Sequence, residues 1–552
     1  MRNINLVYSY RMLDKECALF SDKIRNKRDY ETTLLIPHIN HLESLEKKLN
    51  ALEQKANAIE SPDDVFDLLK CHIKDFIIAQ RVELKSIYER PSKTISMFMY
   101  AFSNAVRNDS RPDEQKVEIL INRFSQADLI WEGIQTWITD VSITYLKELN
   151  DTCQVFIDTM NVEIPRIPSY FDQINEKQHM EFVEAIQVLA LKMGQWIEYV
   201  KTIILERGIS ELIEASDDDV IKFEESYYKT LLEDVIGVNL NEILSWHEDE
   251  INKTRNEVFE IANKLNITDK LPETMDEVNQ ILIKYAGPCD TPEEMFKKAD
   301  EYILRSRNGC KGYVLMPEDE TCIVKNVPEQ LKLSYPWGGY GGGCPIRRPL
   351  QGHMFLNNYN LKAVTDGWIK MNTVHEAYPG HHVQFVRTTL DPLPETVKIG
   401  AKSTPITEGT AHRSERVFEF VFPEDQFYPL FVAYRRHHTA VRIKADLMLR
   451  YFGNPIKDAV QLYVDELGFD RATARSQVKA QEGQQGYFTS YYYGMKKLCD
   501  WEKEYGYDEK EYTELLFAAG RISLENFEKF LKLNQEDKHS YLNDFPSLLQ
   551  FN

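Results

Sequence analysis

The sequence lacks three patterns, each of which would have indicated a particular class of protein. Its 552 residues contain no run of about eighteen apolar side chains, the length that a membrane-spanning helix needs. Residues 1–6 contain no apolar secretory core. None of the eight Cys forms a C-x-x-C pair, so no metal knuckle is indicated. We therefore expect a cytoplasmic protein with reduced thiols and no membrane partner.

Negatively charged side chains outnumber positively charged ones. The chain has 66 Lys and Arg against 87 Asp and Glu, which gives a formal net charge of −21. Such a surface repels polyanions, so nucleic acid and anionic membranes are poor partners. The composition, 43% hydrophobic and 28% charged, is typical of a globular protein with ample core. No repeat at a fixed period and no low-complexity segment is present.

The first three hundred residues predict one helix after another and carry no visible chemistry. The clearest case has apolar residues at steps of three and four, which is one face of an amphipathic helix. These residues are Phe182, Ile186, Leu189, Met193, Ile197, Val200 and Ile204. We interpret residues 1–309 as a helical scaffold.

The pattern changes near residue 310. Residues 312–316 and 321–324 are rich in β-formers and flank a turn, which predicts a β-hairpin, and residues 354–356 are a candidate third strand. Between them, residues 337–343 have five Gly in six positions. That run predicts a flexible flap near a cleft or, equally, a surface loop.

Residues 374–384, Val-His-Glu-Ala-Tyr-Pro-Gly-His-His-Val-Gln, are the most informative stretch. Imidazole binds zinc well, and Glu376 is a candidate base for activating a water. The familiar H-E-x-x-H form is missing, because Pro379 stands four residues after His375. On a regular helix His381 would lie about 120° off the face of His375, and His382 about 10.5 Å along the axis. A break at Pro379 can bring His381 back towards His375, so both later histidines remain candidates.

Here the sequence resembles a known family. The stretch is similar to the H-E-x-x-P-G-H-H signature of a large bacterial family called domain of unknown function 885, which is grouped with the zincin metallopeptidases. Residues 408–415, Glu-Gly-Thr-Ala-His-Arg-Ser-Glu, resemble the E-G-W-A-L-Y-x-E block of that family without its Trp, Leu and Tyr. Residues 484–494 resemble its P-G-Q-A-x-S-Y-x-x-G block, and residues 354–357 the segment before the His-Glu helix.

The resemblance implies an architecture. We expect a mainly α, large helical zincin-like fold of the gluzincin type, with a deep cleft and a small β-sheet beside an active-site helix at 365–384. Residues 1–309 would wall the cleft. Residues 310–552 would form the zincin-like catalytic region, either as a second domain or continuous with the first.

The resemblance also implies a site for one zinc ion. A catalytic zinc has three protein ligands and an open position, and four residues are candidates for those ligands. They are His375, His381, His382 and Glu408, with His381 and His382 as alternatives. Glu376 would act as the base, and the phenol of Tyr491 would stabilise the oxyanion. Glu415 would hold a ligand histidine in its tautomer.

We therefore expect a metal-dependent hydrolase, a zinc peptidase or amidase acting on a short peptide or an amide-containing small molecule. Two alternatives remain open. One is a metalloenzyme with other chemistry on a small metabolite, because histidine and carboxylate ligands also suit non-haem iron. The other is a metal-free helical binding protein that has lost its activity, which the changes around Glu408 favour.

Overall fold

The computed structural model describes residues 4–25, 34–107, 109–209, 216–265, 267, 270–327, 332, 337–345 and 347–544. These residues are mainly helical, with one small sheet, as predicted. They divide into two compact units, one formed by Tyr8–Ile59 with Ile77–Glu214, the other by Glu60–Phe76 with Ala215–Asn552 and the first seven residues. The domain boundary predicted at 309/310 stays a prediction.

Nine α-helices lie between residues 4 and 206 of the described chain. They are α1 Ile4–Arg25, α2 Ile39–Ala58, α3 Asp64–Glu89, α4 Pro91–Arg107, α5 Asp113–Phe124, α6 Ala127–Gln135, α7 Ile143–Glu163, α8 Ile167–Tyr170 and α9 Glu176–Glu206. Asn175 caps α9 in a capping box with Gln178. The apolar face predicted for this helix is buried along its whole length, from Phe182 to Ile204.

The remaining α-helices of the described chain lie in the second unit. They are α10 Glu225–Thr230, α11 Leu240–Lys264, α12 Met275–Ala286, α13 Pro292–Gly309, α14 Asp366–Asn372, α15 His381–Leu390, α16 Glu395–Ile399, α17 Thr404–Val417, α18 Tyr428–Leu447, α19 Ile456–Leu467, α20 Arg471–Gly483, α21 Thr489–Glu504, α22 Glu509–Ala518, α23 Leu524–Lys532 and α24 Gln535–His539. Helices α17, α18 and α21 pack against one another and carry most of the side chains discussed below.

The sheet has three strands, β1 Glu320–Asn326, β2 Gly338–Gly341 and β3 Leu350–Leu356, in the order β1-β3-β2. Strand β1 runs parallel to β3, with Ile323 opposite His353, and β2 runs antiparallel to it. Strand β3 contains the predicted strand at 354–356. The side chains of β3 are nearly all buried, which places the sheet within the core of this unit.

Two sequence predictions about this region are wrong. Residues 312–316 form no strand, because their backbone turns directly out of α13, with the N–H groups of Tyr313 and Val314 bonded to the Cys310 carbonyl. Part of the glycine-rich run is a strand and not a flap. A Cβ on Gly338 would lie 2.1 Å from the Phe355 carbonyl oxygen, so glycine is what allows β2 to approach β3.

Candidate metal centre

The helix predicted over 365–384 is broken into two. Helix α14 begins at a cap in which the Thr365 hydroxyl accepts the Trp368 N–H. It widens into a π-helical turn at Thr373–Ala377, and the Tyr378 N–H closes that turn on the Thr373 carbonyl. Wide turns of this kind displace the following residues from the regular helical path.

The break returns the chain towards His375. A Cβ on Gly380 would lie 1.7 Å from the His375 carbonyl oxygen, so only glycine permits this close approach. Helix α15 then starts at His381, whose ring centroid lies 4.9 Å from that of His375. The predicted effect of the Pro-Gly break, to bring His381 towards His375, is what the structure shows.

Glu408, on α17, completes a cluster of three. Its Oε2 lies 3.5 Å from Nε2 of His375 and 3.4 Å from Nε2 of His381. One candidate ligand atom from each of the three residues lies within 4.8 Å of the others. The set of two imidazoles and one carboxylate is a common one for catalytic zinc.

The second nitrogen of each imidazole is held by an acceptor. Nδ1 of His375 lies 2.7 Å from Oε1 of Glu415, and Nδ1 of His381 lies 2.8 Å from Oε1 of Gln384. The Gln384 amide is oriented by donating to the Thr407 carbonyl. Each Nδ1 therefore carries the proton, which leaves the Nε2 lone pair of both rings directed at Glu408.

The carboxylate of Glu408 has an unsatisfied atom. Its Oε1 accepts from the Tyr487 hydroxyl, whereas Oε2 is buried and has no hydrogen-bond partner among the described residues. Two lone pairs and a carboxylate oxygen that face one another repel unless a cation lies between them. This donor set and its orphaned oxygen fit a metal ion.

The same arrangement shifts the pKa values of His375 and Glu408. Burial alone lowers the pKa of His375, but the neighbouring carboxylates of Glu408 and Glu415 outweigh it and raise this pKa to about 10. Burial raises the pKa of Glu408, and the two imidazoles outweigh it and hold that pKa well below its usual range. A proton on Nε2 thus takes the place that a metal would take.

The hydrogen-bond chain continues behind Glu415. The second carboxylate oxygen of Glu415 lies 2.8 Å from Nδ1 of His412, and Nε2 of His412 lies 2.8 Å from the Thr439 hydroxyl. Glu415 is fully buried. The sequence predicted that Glu415 would hold a ligand histidine, but it predicted no role for His412.

The cluster opens into a cavity of about 1350 Å³ lined by residues of β2, α14, α15, α17, α18, α20 and α21. Glu376 lies on its wall, with Oε2 3.9 Å from Nε2 of His381. The predicted base thus faces the same space as the candidate ligands. Trp337 and Tyr340, from the glycine-rich run, also line the cavity.

His382 lies outside the cluster, although the sequence left it equal to His381. Its Nε2 lies 2.6 Å from Oε2 of Glu320 on β1, and its Nδ1 lies 3.2 Å from the Tyr340 hydroxyl. Adjacent residues on a helix point about 100° apart, so only one of the two histidines can face Glu408. Glu320 also accepts from Tyr378 and Arg307, which completes a buried polar network.

Tyr491 stacks against His375, with ring centroids 6.0 Å apart and planes 11° apart. Its hydroxyl donates to the Tyr487 hydroxyl at 3.3 Å, and Tyr487 in turn donates to Glu408. Burial is the main cause that raises the pKa of both phenols, so both remain donors at neutral pH. Tyr487 was missed in the sequence, although it precedes Tyr491 by one helical turn in the same block.

Comparison with known proteins identifies the family. The sequence model described as "Bacterial protein of unknown function (DUF885)" matches residues 41–529. This chain belongs to that family. A search of curated proteins finds no significant match.

Two solved structures share the fold of the DUF885 chain. One, from Colwellia psychrerythraea, is described as a "putative lipoprotein" and is 16% identical, with a TM-score of 0.74 over 96% of this chain and 98% of the other. The second, from Shewanella oneidensis, is described as a "putative lipoprotein of unknown function". It is 15% identical, with a TM-score of 0.69 over 96% of this chain and 100% of the other.

Within the described part of the chain, no helix combines the length and the apolar character that crossing a bilayer requires. The expected cytoplasmic location stays a prediction.

Proposed function

We propose that this chain is a metal-dependent hydrolase, a zinc peptidase or amidase that acts on a short peptide or an amide-containing small molecule. One observation carries the proposal. The Nε2 atoms of His375 and His381 converge on the unpartnered oxygen of Glu408 at the wall of a large cavity. Buried polar atoms are rarely left unpartnered without a functional reason.

A zinc ion at this position would polarise a substrate carbonyl and lower the pKa of a bound water. The chain's own residues would do the rest. Glu376 faces the same cavity and would accept a proton from the attacking water, then return it to the leaving amine. Glu415 and Gln384 would hold the two imidazoles in the ligating tautomer.

Tyr491 is proposed as the donor to the developing oxyanion. Its phenol is protonated at neutral pH and its ring is parallel to that of His375, so it borders the reacting centre. The hydrogen bond from Tyr491 to Tyr487 is long, at 3.3 Å, and therefore weak. Replacing it with a hydrogen bond from Tyr491 to a substrate oxygen would cost little free energy.

We also propose that the fold is zincin-like, of the gluzincin type. Three features support this assignment. The two histidines lie on either side of the short break between α14 and α15, the carboxylate comes from helix α17, and the small sheet packs beside the π-helical turn and α15. This assignment goes beyond membership of the family, because it includes the deep cleft and the pattern of metal ligands.

Metal content is the first test. Protein purified without a chelator and without a polyhistidine tag should hold about one zinc per chain. His375→Ala, His381→Ala and Glu408→Ala should each lose it, and His382→Ala is the matched control that should keep it. Wild-type protein without metal, even after zinc is added back, would contradict the proposal.

Short-peptide hydrolysis is the second test. Release of free amines from a mixture of di- to pentapeptides should stop after chelation and return with zinc. Iron in place of zinc, together with dioxygen consumption, would instead support the non-haem iron alternative. Peptide binding without metal or turnover would support the binding-protein alternative.

A further inference from the structure

Two arginines on α18 line the cavity without a carboxylate partner. Arg435 and Arg442 are seven positions apart, so they lie on one face of the helix, two turns apart. Arg442 is only 5% exposed and donates to the Gln477 side chain at 3.2 Å. Among the described residues neither arginine forms an ion pair. Arg436 by contrast points elsewhere and pairs with Glu257 at 2.9 Å.

Aromatic rings cover the faces of the two guanidinium groups. Each guanidinium carbon lies 5.7 Å from the ring centroid of Tyr491. Arg442 also lies 4.5 Å from the Phe488 ring, and Arg435 lies 5.9 Å from the Trp368 ring. Such stacking orients a guanidinium but leaves its N–H donors, which lie in its plane, available. Nε of Arg435 is buried and makes no hydrogen bond to any described residue.

The positive charge of the pair is not compensated locally. Burial and the neighbouring Arg435 lower the pKa of Arg442 to about 10. Burial, then Arg442 and Arg435, hold the pKa of His438, on the same helix, well below its usual value. The cavity wall carries five cationic residues against two carboxylates, Glu376 and Glu408, in a chain whose net charge is −21. The cavity therefore attracts an anion that the rest of the surface repels.

The pair lies close to the candidate metal centre. The Tyr491 ring is 6.0 Å from the His375 ring and 5.7 Å from each guanidinium carbon. Both arginines are therefore within about 12 Å of the His375 ring. An extended peptide advances roughly 3.3–3.6 Å per residue, so this distance spans about three residues.

We propose that Arg435 and Arg442 form a subsite for a substrate carboxylate located within about three residues of the amide bond that is cleaved. The position of that amide bond rests on the proposed hydrolase function, whereas the anion subsite stands on the arginines alone. Paired guanidinium groups bind a carboxylate through charge-assisted hydrogen bonds. The carboxylate has two possible sources, a free C-terminus and an acidic side chain, and the probes below separate them.

Binding of three small probes tests the subsite. They are N-acetyl-alanyl-alanine, its C-terminal amide, and N-acetyl-alanyl-aspartic acid α-amide. Titration calorimetry in a Glu376→Gln background keeps a cleavable probe intact. We expect the first probe to bind at least about tenfold more tightly than its amide. Binding of the third probe as tight as the first would show that a side-chain carboxylate also suffices, and weak binding of the third would assign the subsite to a C-terminus.

Variants link the preference to the two arginines. Arg435→Gln should reduce the acid-to-amide ratio to near one. Arg442→Lys, which keeps the charge in a buried place but loses the planar fork, should reduce it by at least about threefold. Arg436→Gln is the matched control one residue away, and it should keep the full ratio. Thermal unfolding of each variant verifies that it is folded.

The proposal is overturned if neither carboxylate probe binds more tightly than the C-terminal amide, if no carboxylate probe binds at millimolar concentration, or if the preference survives Arg435→Gln. Repeating the titrations after chelation separates this proposal from the hydrolase. A carboxylate preference without zinc or turnover would refute the hydrolase and leave the subsite intact. Zinc-dependent hydrolysis at equal rates for acids and amides would support the hydrolase and refute the carboxylate subsite.

Discussion

Glu415 accepts a hydrogen bond from Nδ1 of His375 at 2.7 Å through one carboxylate oxygen and contacts Nδ1 of His412 at 2.8 Å through the other. All three side chains are buried. The contact fixes the tautomer of His375, so that Nε2 and not Nδ1 presents its lone pair to Glu408. A residue that touches no substrate thus decides whether the imidazole can act as a ligand.

We predict that Glu415→Gln lowers zinc affinity by about 10–100-fold, the usual effect of losing such a partner. The amide can donate to Nδ1 as readily as it accepts, which removes the preference for the ligating tautomer. Zinc affinity is measured by competition with a chelating dye. Glu419→Gln, one turn further along the chain, is the control. Unchanged affinity in Glu415→Gln would mean that packing alone orients His375.

Substitutions of the adjacent residues His381 and His382 should have different effects on zinc binding and on stability. His381→Asn should abolish zinc binding and leave the metal-free protein nearly as stable as the wild type. His382→Asn should keep one zinc per chain but lower the free energy of unfolding by roughly 1–3 kcal/mol, because Glu320 loses a buried partner. Metal analysis and urea unfolding of the two variants measure both effects. Zinc loss in His382→Asn with zinc retained in His381→Asn would reverse the assignment.

Glu376→Gln should separate binding from chemistry. Zinc content should be unchanged, because Glu376 is not in the ligand cluster. The turnover number should fall by about 10²–10⁴-fold, the range that a general base contributes. A stopped assay with the most rapidly cleaved peptide of the di- to pentapeptide mixture measures the rate. A variant that retains wild-type turnover would remove Glu376 from the mechanism and call for another base.

The two tyrosines should have distinct effects. Tyr487→Phe removes the donor to Glu408 and should weaken zinc binding by about tenfold. Tyr491→Phe should leave zinc affinity unchanged and lower the turnover number by about 10²–10³-fold if its phenol stabilises the oxyanion. Comparing zinc affinity and turnover in both variants is the measurement. A Tyr491→Phe enzyme with full activity would leave Tyr491 as a stacking partner of His375 only.

Local features of the sequence predicted local structure well. The apolar face of α9 follows from its spacing, and the break at Pro379 follows from backbone chemistry. Strand pairing was predicted less well. Strand β1 is visible as a β-forming run, but its parallel partner β3 begins 24 residues after β1 ends, and periodicity carries no information about partners.

The candidate site was likewise predicted from the sequence only in part. Which of His381 and His382 faces Glu408 depends on how far the chain turns at Gly380, and the sequence does not encode that angle in any local pattern. The contact between His382 and Glu320 joins residues 62 positions apart. Among the described residues, the lack of an ion-pair partner for Arg435 and Arg442 is a property of the packed cavity, so only the three-dimensional structure reveals it.

Stability should depend on pH through His72, which is 1% exposed. Burial lowers its pKa from 6.5 to about 4. Between pH 6.5 and about pH 4 the unfolded chain therefore binds a proton at His72 that the folded chain does not bind. The contribution of His72 to the free energy of unfolding is thus at its maximum above pH 6.5 and falls as the pH drops through this window. At 1.36 kcal/mol per pH unit, the loss attributable to His72 between pH 7 and pH 5 is about 2 kcal/mol.

His72→Leu does not titrate and should lose about 2 kcal/mol less than the wild type over this interval. Urea unfolding of both proteins at pH 7 and pH 5 gives the difference, in which the contributions of other groups cancel. Parallel losses in the two proteins would show that His72 takes up its proton in the folded chain as readily as in the unfolded one.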